Sequence, residues 1–574
     1  MKKIFFNSSL LLLSFIVIDH LLVMFSFVSS SNFLPWVLPV SLLFSVLMFL
    51  FMENKSSIRL KLWSLFLSFL VIIVSMALAV FYVDFSWDGQ WYHQSAIYNM
   101  VEGWNPLKEA IREFEIHNSV SIAHFPKAAW YYAASVYSFS GVFEAGKSIN
   151  FILLFVAFFL LYYTLRKYDL PVGRSLFASL LLVLNPVVWS EITTYLNDGS
   201  LVLYLSIYVT MLFAWFKTPG KKVFLMGAFA IIGLVNLKFT GLVFFCVLAL
   251  FFCVYLLFFK RELVLKALLS HGIVLLLALV LFGFNPYVSN YIERGHPLYP
   301  IFGTSEYPSV FDQTGKDDNE IHETPHNLRG KALIVRMFYA NFGRPDNAPY
   351  YKEKEAKLIL PFTSSFSDWK AYYFHETRVS GFGPYFGVCL VISLFMLVGC
   401  FFVDRKKAWI AFIAVSALIS TLLFSKHFWW PRFAPQTWLI PLVPYLFLLS
   451  QGKTKKLLAF NRIFALLLLI NGGIVLFFHM NWETRSSIEL RKQLSELSEK
   501  KVPVEIFYGW FKKSMEMKLS YWQIEYRSLS KKPHNVEAYK KLPSVVEGYP
   551  NMVLYREFYD SPRNEEIARI SRKQ

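Results

Sequence analysis

The sequence predicts an all-α polytopic membrane protein with about thirteen transmembrane helices and a small C-terminal α/β module. Hydrophobic residues make up 56% of the 574 residues and charged residues only 17%, whereas charged residues supply about a quarter of an average soluble protein. Apolar runs such as 10–28, 34–51, 62–82 and 264–284 reach or approach the roughly 18 residues that cross a hydrocarbon core about 30 Å thick. Lipid is therefore the expected solvent for most of the chain.

The hydrophobic runs divide into predicted spans, whose orientation follows from the charges between them. The spans lie near 8–28, 33–52, 61–83, 147–165, 175–190, 198–216, 222–237, 240–259, 266–284, 382–403, 408–425, 433–450 and 457–479. A cytoplasmic N-terminus makes every short cytoplasmic connection basic, as the positive-inside rule requires. These connections are at 55–61, 166–174, 217–222, 260–266, 405–407 and 453–456. The C-terminus is then extracytoplasmic.

Three long polar segments, 84–146, 285–381 and 481–574, fall on the extracytoplasmic side in this topology. We expect a transmembrane domain, 1–480, that carries the first two as outer loops, and a soluble module, 481–574. The module has a helical stretch at 488–500 and strand-like runs at 502–508 and 552–558. Because cytoplasmic loops of a few residues have no room for a soluble substrate, any chemistry is expected outside.

The formal net charge of +18 does not indicate a nucleic-acid partner. In a membrane protein, a basic balance reflects orientation signals and attraction to anionic lipid headgroups. The sequence has no nucleic-acid-binding motif, so membrane lipids are the expected partners of these charges.

The first long outer segment begins with two carboxylates among aromatic residues. Asp84 and Asp88 follow a span directly, and the pattern from 87 to 105 predicts an interfacial helix with Ser86 as its N-cap. A carboxylate at the membrane surface is suited to act as a general base. Asp88 is the first candidate for this role and Asp84 the second. His93 would lie about 140° from Asp88 on an α-helix, so a shared metal site needs another backbone conformation. The alternative is a helix start within an ordinary interfacial aromatic belt.

Cations at predicted outer span ends are candidates for phosphate binding. Lys238, between two apolar runs, and Arg432, after two tryptophans, are the stronger ones, because a cation at a span end is costly unless paired. Snorkelling to the headgroups is the alternative for Lys238 and helix anchoring the alternative for Arg432. For Arg378 we favour anchoring.

Other polar residues complete the candidate binding set. Glu191 and Asp198 could bind sugar hydroxyls or a divalent cation, or cap the helices that they border. His124 and Lys127 lie in the first outer loop, where an ordinary surface loop is the alternative. The pair Asp19 and His20 lies inside the first span, where helix–helix hydrogen bonding is the favoured explanation over a functional site.

Three short motifs, with this architecture, resemble the membrane glycosyltransferases of the GT-C fold, relatives of protein O-mannosyltransferases and lipid A aminoarabinose transferases. They are WDGQWYH at 87–93, LKFTG at 237–241 and GHPLYP at 295–300. The resemblance covers roughly residues 60–450. It implies a polyprenyl-phosphate-linked sugar donor, a glycan, lipid or protein acceptor, a bacterial inner (plasma) membrane, Asp88 as catalytic base and Lys238 as a ligand of the donor phosphate.

This resemblance implies no certain cofactor and leaves a divalent cation open. An activated lipid donor needs no nucleotide site, in agreement with the absence of a glycine-rich phosphate loop from the sequence. Three other functions stay open: an oligosaccharide polymerase or ligase, a transporter or flippase of lipid-linked glycans, and a receptor or assembly scaffold. A transporter should carry ionisable residues near mid-membrane, and in the predicted spans the pair Asp19–His20 is the feature that favours one.

Overall fold

The structure, a computed structural model, describes residues 1–109, 111, 119–310, 324–345, 356–360, 362–451, 454–509, 511–542 and 553–557. These residues are mostly helical, and the strands of the described sheet all follow residue 500. The helices of the first half are α1 Lys2–Ser29, α2 Leu34–Met52, α3 Ile58–Phe81, α4 Gln94–Val101, α5 Ser119–His124, α6 Ala128–Ser140, α7 Ser148–Lys167, α8 Val172–Val183, α9 Pro186–Glu191, α10 Asp198–Lys217, α11 Lys221–Leu237, α12 Phe239–Phe259, α13 Val264–Leu276 and α14 Ser289–Arg294.

The second half contains the remaining described helices and the sheet. The helices are α15 Leu333–Phe342, α16 Phe366–Trp369, α17 Phe386–Val403, α18 Arg405–Leu422, α19 Leu439–Gln451, α20 Lys455–Lys500 and α21 Lys512–Tyr521. The strands are β1 Val504–Phe507, β2 Tyr526–Ser528, β3 Lys540–Leu542 and β4 Val553–Glu557.

Nine helices in the described residues are long and apolar enough to cross a membrane. They are Lys2–Ser29, Leu34–Met52, Ile58–Phe81, Phe143–Lys167, Asp198–Lys217, Phe239–Phe259, Arg261–Phe282, Phe386–Val403 and Lys455–Lys500. In Phe143–Lys167, 89% of the most apolar stretch is buried, whereas in Arg261–Phe282 only 17% is. The first is therefore central in the bundle, and the second presents apolar side chains at its periphery, as expected of a lipid-facing helix.

The other four predicted spans coincide with helices that are shorter or more charged. The span at 175–190 is divided, because α8 ends at Val183 and Pro186 begins α9, with Asn185 as its N-cap. The span at 222–237 is α11, and that at 408–425 is α18, which begins with three basic residues. The span at 433–450 starts as short 3-10 turns, and its α-helix, α19, covers Leu439–Gln451.

The C-terminal module is a four-stranded sheet in the order β2-β1-β4-β3, continuous with the bundle through α20. Strand β1 is parallel to β2, with α21 as the connection, and antiparallel to β4. The predicted helix at 488–500 is the end of α20, because no Gly or Pro lies between residues 474 and 502 to stop that helix. The predicted strands at 502–508 and 552–558 correspond to β1 and β4, while residues 552 and 558 lie outside the described residues.

The module packs against the start of the loop that carries the predicted base. Leu490 and Leu494 of α20 form one apolar cluster with Ile506 of β1, and Val83 and Phe85 belong to the same cluster. Burial of such side chains contributes about 1.5–3 kcal/mol each. The sheet therefore fixes the backbone immediately before Asp88.

Candidate functional site

Arg432 is the centre of a cluster of carboxylates. Its Nη2 lies 2.5 Å from Asp88 Oδ2 and its Nη1 lies 2.5 Å from Glu376 Oε1. Its Nε lies 3.1 Å from Asp198 Oδ2 and 3.9 Å from Glu191 Oε1. All three donor positions of one guanidinium therefore face carboxylates that come from four separate parts of the chain.

A second cation, Lys238, extends this cluster. Its Nζ donates to Asp198 Oδ1 at 2.5 Å, so Asp198 bridges Lys238 and Arg432. Lys238 has extended backbone angles, φ −158° and ψ 146°, and separates α11 from α12. That break turns the lysine towards α10, whose first residue is Asp198, while the Lys238 side chain keeps 29% exposure. The lysine is thus paired and not only snorkelling.

The pKa values of the acidic residues reflect burial against nearby cations. Burial alone would raise the pKa of Asp88, but Arg432 holds it below its usual value. At Glu376 the effect of burial on the pKa is larger than the opposing effect of Arg432, so the pKa of Glu376 is raised. Burial and the neighbouring Asp198 raise the pKa of Glu191 well above its usual value. Asp88 is therefore ionised and, with 21% side-chain exposure, is the most accessible carboxylate in contact with Arg432 among the described residues.

The structure brings together half of the ten candidate site residues proposed from the sequence. Five of them form the cluster: Asp88, Glu191, Asp198, Lys238 and Arg432. Arg378 lies beside it, with Nη2 3.9 Å from Glu376 Oε2 and its guanidinium 4.3 Å from the centre of the Trp430 ring. Arg378 is buried and, in the described part of the chain, contacts the cluster only through Glu376. Glu191 and Asp198, the carboxylates considered for a divalent cation, both face Arg432.

Glu376 is the member of the cluster that sequence reasoning missed. It lies in the long segment between α14 and α17, six residues before the predicted span at 382–403. The sequence feature that could have identified Glu376 is its position two residues before Arg378, which was already a candidate site residue.

Asp84, the second candidate base, lies in a separate hydrogen-bond network. Its Oδ1 accepts from the backbone N–H of Ser86 at 2.8 Å, and its Oδ2 accepts from the N–H of Tyr195 at 2.9 Å. The side chain has no exposed surface, and burial raises its pKa. Asp84 thus ties the start of the loop to the α9–α10 connection, and Asp88 is the better placed candidate base.

The turn that presents Asp88 depends on Ser86 and Gly89. The predicted N-cap is confirmed, since Ser86 Oγ accepts from the Gly89 N–H at 3.2 Å. The next residues, Gly89–His93, form a π-helical turn that leads into α4, which ends at Val101 and not at residue 105. A Cβ atom at Gly89 would collide with Asp84 Oδ2 and Ser86 Oγ. Only glycine fits at this position.

We therefore expect Gly89→Ala to lower the free energy of unfolding by about 1–3 kcal/mol, the usual cost of overpacking. The collision would also displace Asp88, so activity should fall with stability. The matched control is Gly473→Ala, because a Cβ there meets nothing within 4 Å and the residue lies inside α20. Thermal unfolding of both variants in detergent checks the prediction, which fails if the two midpoints are equal.

His93 lies behind Asp88 in an aromatic environment. Its Nδ1 accepts a hydrogen bond from the Trp130 indole N–H at 2.7 Å, and its ring stacks on Tyr92 with centroids 4.2 Å apart. Burial lowers the pKa of His93 to about 3, although Asp88 opposes this shift. The imidazole is therefore neutral, and its hydrogen bond to Trp130 ties the π-helical turn to α6.

His124 and Lys127 lie in a second buried network, which joins the first long loop to the segment after α13. Lys127 Nζ donates to Asn285 Oδ1 at 2.6 Å and to two backbone carbonyls, and His124 Nδ1 lies 2.7 Å from Asn290 Oδ1. Burial lowers the pKa of Lys127 well below its usual value and that of His124 to about 4. Neither side chain has an ion pair in the structure with the carboxylates around Arg432.

The pair Asp19 and His20 makes the expected contacts between helices. Asp19 accepts from Ser135 Oγ of α6 at 2.9 Å, and Ser41 Oγ of α2 donates to it at 3.4 Å. His20 Nε2 donates to the backbone carbonyl of Phe282 at 2.9 Å. Both side chains thus have helix-packing partners.

Two sizeable cavities in the described structure lie apart from this cluster. One of about 470 Å³ and another of about 300 Å³ have apolar linings that include no residue of the cluster. The cavity beside Glu376 and Arg432 has only about 10 Å³, close to the minimum for one water molecule. A phosphate can reach Arg432 only if the surrounding carboxylates move.

Comparisons of this chain with models of protein families, with curated proteins and with solved structures gave no match. The functional argument therefore rests on the residues around Arg432 and on their geometry.

Proposed function

We propose that the protein is a membrane glycosyltransferase that moves a sugar from a polyprenyl-phosphate-linked donor to an extracytoplasmic acceptor. The observation that supports this function is the convergence of Asp88, Lys238 and Arg432, an accessible carboxylate with two cations, in one cluster next to apolar helices. A lipid-linked sugar presents a negatively charged phosphate and a reactive anomeric carbon at the membrane surface. The cluster offers a ligand for the first and a base for chemistry at the second.

The proposed reaction is a single displacement. The acceptor hydroxyl oxygen forms a bond to the anomeric carbon as its proton passes to the Asp88 carboxylate. The bond between the anomeric carbon and the phosphate oxygen breaks, and the lipid phosphate leaves with the electron pair. Arg432 and Lys238 stabilise the charge that develops on this leaving phosphate.

Donor binding must exchange ion pairs, because Arg432 is already surrounded by carboxylates. A phosphate that binds Arg432 bidentately would replace Glu376 or Asp88 as its partner. Release of Asp88 from Arg432 removes the interaction that holds its pKa low and makes it a stronger base. Binding of the donor would thus increase the basicity of Asp88.

An oligosaccharide polymerase or ligase is the alternative that uses the same groups. Its donor would be a lipid-linked oligosaccharide instead of a single lipid-linked sugar. Parallel assays with the two donor classes separate these functions, and the proposed function requires release of polyprenyl phosphate from the single-sugar donor. The glycosyltransferase proposal is wrong if neither donor class is consumed by the folded chain.

We expect Lys238→Met to weaken donor binding by about tenfold to a hundredfold, the worth of one charge-assisted hydrogen bond. Asp198 keeps Arg432 as a partner, so the fold should survive the change. The matched control is Lys217→Met at the other end of α10, where the lysine is exposed and lies over the Tyr168 ring. Binding of a polyprenyl-phosphate-linked sugar and its rate of transfer are measured for both. If the two variants bind the lipid-linked sugar with equal affinity, Lys238 is not part of the donor site.

A further inference from the structure

His375, His479 and Glu483 form a compact buried group behind Glu376. One ligand atom from each residue, an imidazole nitrogen or a carboxylate oxygen, lies within 4.8 Å of the other two. The three residues are 3%, 0% and 0% exposed. His375 precedes α17, whereas His479 and Glu483 lie one turn apart on α20, so the group joins two distant parts of the chain.

All but one of the side-chain nitrogen and carboxylate oxygen atoms of this group lack hydrogen bonds within the part of the chain that the structure describes. Both ring nitrogens of His375, Nε2 of His479 and both carboxylate oxygens of Glu483 have no hydrogen-bond partner among the described residues. His375 Nε2 does lie against Glu483 Oε1, but not in a hydrogen-bonding geometry. Burial of an ionised carboxylate costs several kcal/mol unless a proton or a nearby cation neutralises it, so a cation bound among these three side chains would stabilise the group.

The orientation of His479 is the one that a metal ligand requires. Its Nδ1 donates to the backbone carbonyl of Tyr373 at 3.1 Å, which leaves the lone pair on Nε2. That Nε2 faces Glu483 Oε1 at 3.9 Å. Histidine ligands of metals commonly donate their other ring N–H to a backbone carbonyl, because this bond fixes both tautomer and ring orientation.

We infer that His375, His479 and Glu483 bind one divalent transition-metal ion of the zinc class. Two imidazoles and a carboxylate are a ligand set that Zn²⁺ accepts, at about 2.0–2.2 Å from each atom. Tetrahedral ligand atoms at that distance are about 3.4 Å apart, so small side-chain rotations close the group around an ion. The ion would fasten the segment of His375 to α20 and so hold the adjacent Glu376 against Arg432.

The test is zinc binding to the purified full-length chain in detergent. After treatment with a chelator, the chain is titrated with Zn²⁺, and bound metal is measured after removal of the excess. We expect about one Zn²⁺ per chain and a higher midpoint of thermal unfolding with Zn²⁺ than with chelator. Co²⁺ in place of Zn²⁺ should give the visible absorption of a nitrogen- and oxygen-ligated ion.

Variants separate a metal site from a simple histidine–glutamate contact. Glu483→Gln keeps the shape of the side chain and removes the buried charge, so it should fold and yet bind Zn²⁺ more than about a hundredfold more weakly, since even outer partners of ligands are worth 10–100-fold. His375→Gln should lose the metal in the same way. The control His271→Ala removes a histidine that bonds to the Ala267 carbonyl in α13 and should bind Zn²⁺ like the parent.

Two results would overturn the inference. One is a folded parent chain that retains no Zn²⁺ after the excess metal is removed. The other is a folded Glu483→Gln variant with parental affinity. Because metal content and thermal unfolding are measured without any sugar donor, failure here leaves the glycosyltransferase proposal standing, and failure of that proposal leaves the metal site standing.

Discussion

The Asp88→Asn variant is expected to transfer sugar at least about a hundredfold more slowly than the parent chain, with little change in donor binding. Asparagine keeps the shape of the side chain and can still contact Arg432, but it cannot accept a proton. The turn should persist, because the Ser86 and Gly89 contacts do not involve the Asp88 carboxylate. Loss of turnover at constant affinity is the behaviour of a group that acts in the transition state.

Single-turnover transfer and equilibrium donor binding, measured on the same preparation, check this expectation. Thermal unfolding of each sample shows that the variant is folded. A folded Asp88→Asn chain with the parental rate would place the base elsewhere, and Asp84→Asn would be the next variant to measure. If both variants kept full activity, the loop would have no catalytic base, and the proposed mechanism would be wrong.

Arg432→Met should destabilise the fold by about 3–5 kcal/mol and abolish transfer. Methionine occupies a similar volume but leaves Asp88 and Glu376 without the counter-ion that both contact at 2.5 Å. Removal of one partner of a buried ion pair has this cost because an uncompensated charge remains in a poorly solvated place. The leaving phosphate would also lose its bidentate ligand.

A second substitution and a matched control make this prediction specific. The double variant Arg432→Met with Glu376→Gln should recover part of the lost stability, since it removes one of the orphaned charges, but none of the activity. Arg344→Met breaks an ion pair with Asp368 in which the arginine is 54% exposed, so it should cost only about 0–1 kcal/mol. Equal unfolding midpoints for Arg344→Met and Arg432→Met would contradict the central role of Arg432.

Hydrophobicity alone was sufficient to predict a mostly helical chain with many apolar spans. The hydrophobicity of a sequence window reports the free energy of transferring that segment into lipid. This free energy depends on the composition and length of the segment and not on its neighbours in the fold. The hydrophobicity of the same window does not predict where a helix ends. Pro186 divides one predicted span, and α20 continues to Lys500 because helix propensity, not lipid, decides its end.

The candidate site was predicted as isolated residues. A charge at the end of an apolar run is visible in the sequence, which is how Lys238 and Arg432 were selected. Glu376 was missed, because the sequence does not show which cation an acid in this mixed aromatic and polar segment will contact. The same holds for Glu483, which lies in what reads as an ordinary amphipathic stretch of α20.

The sequence by itself was sufficient to predict apolar segments suited to a lipid environment, a mostly helical chain and the charged residues at span ends. These properties depend on local composition. Only the tertiary structure decided which charges meet. Asp88, Glu376 and Arg432 are separated by tens to hundreds of residues, and their contacts depend on how α9, α10 and the segment before α17 pack together. Pairing of buried charges is a property of three-dimensional packing, since its energy depends on distance and on exclusion of water, neither of which one sequence displays.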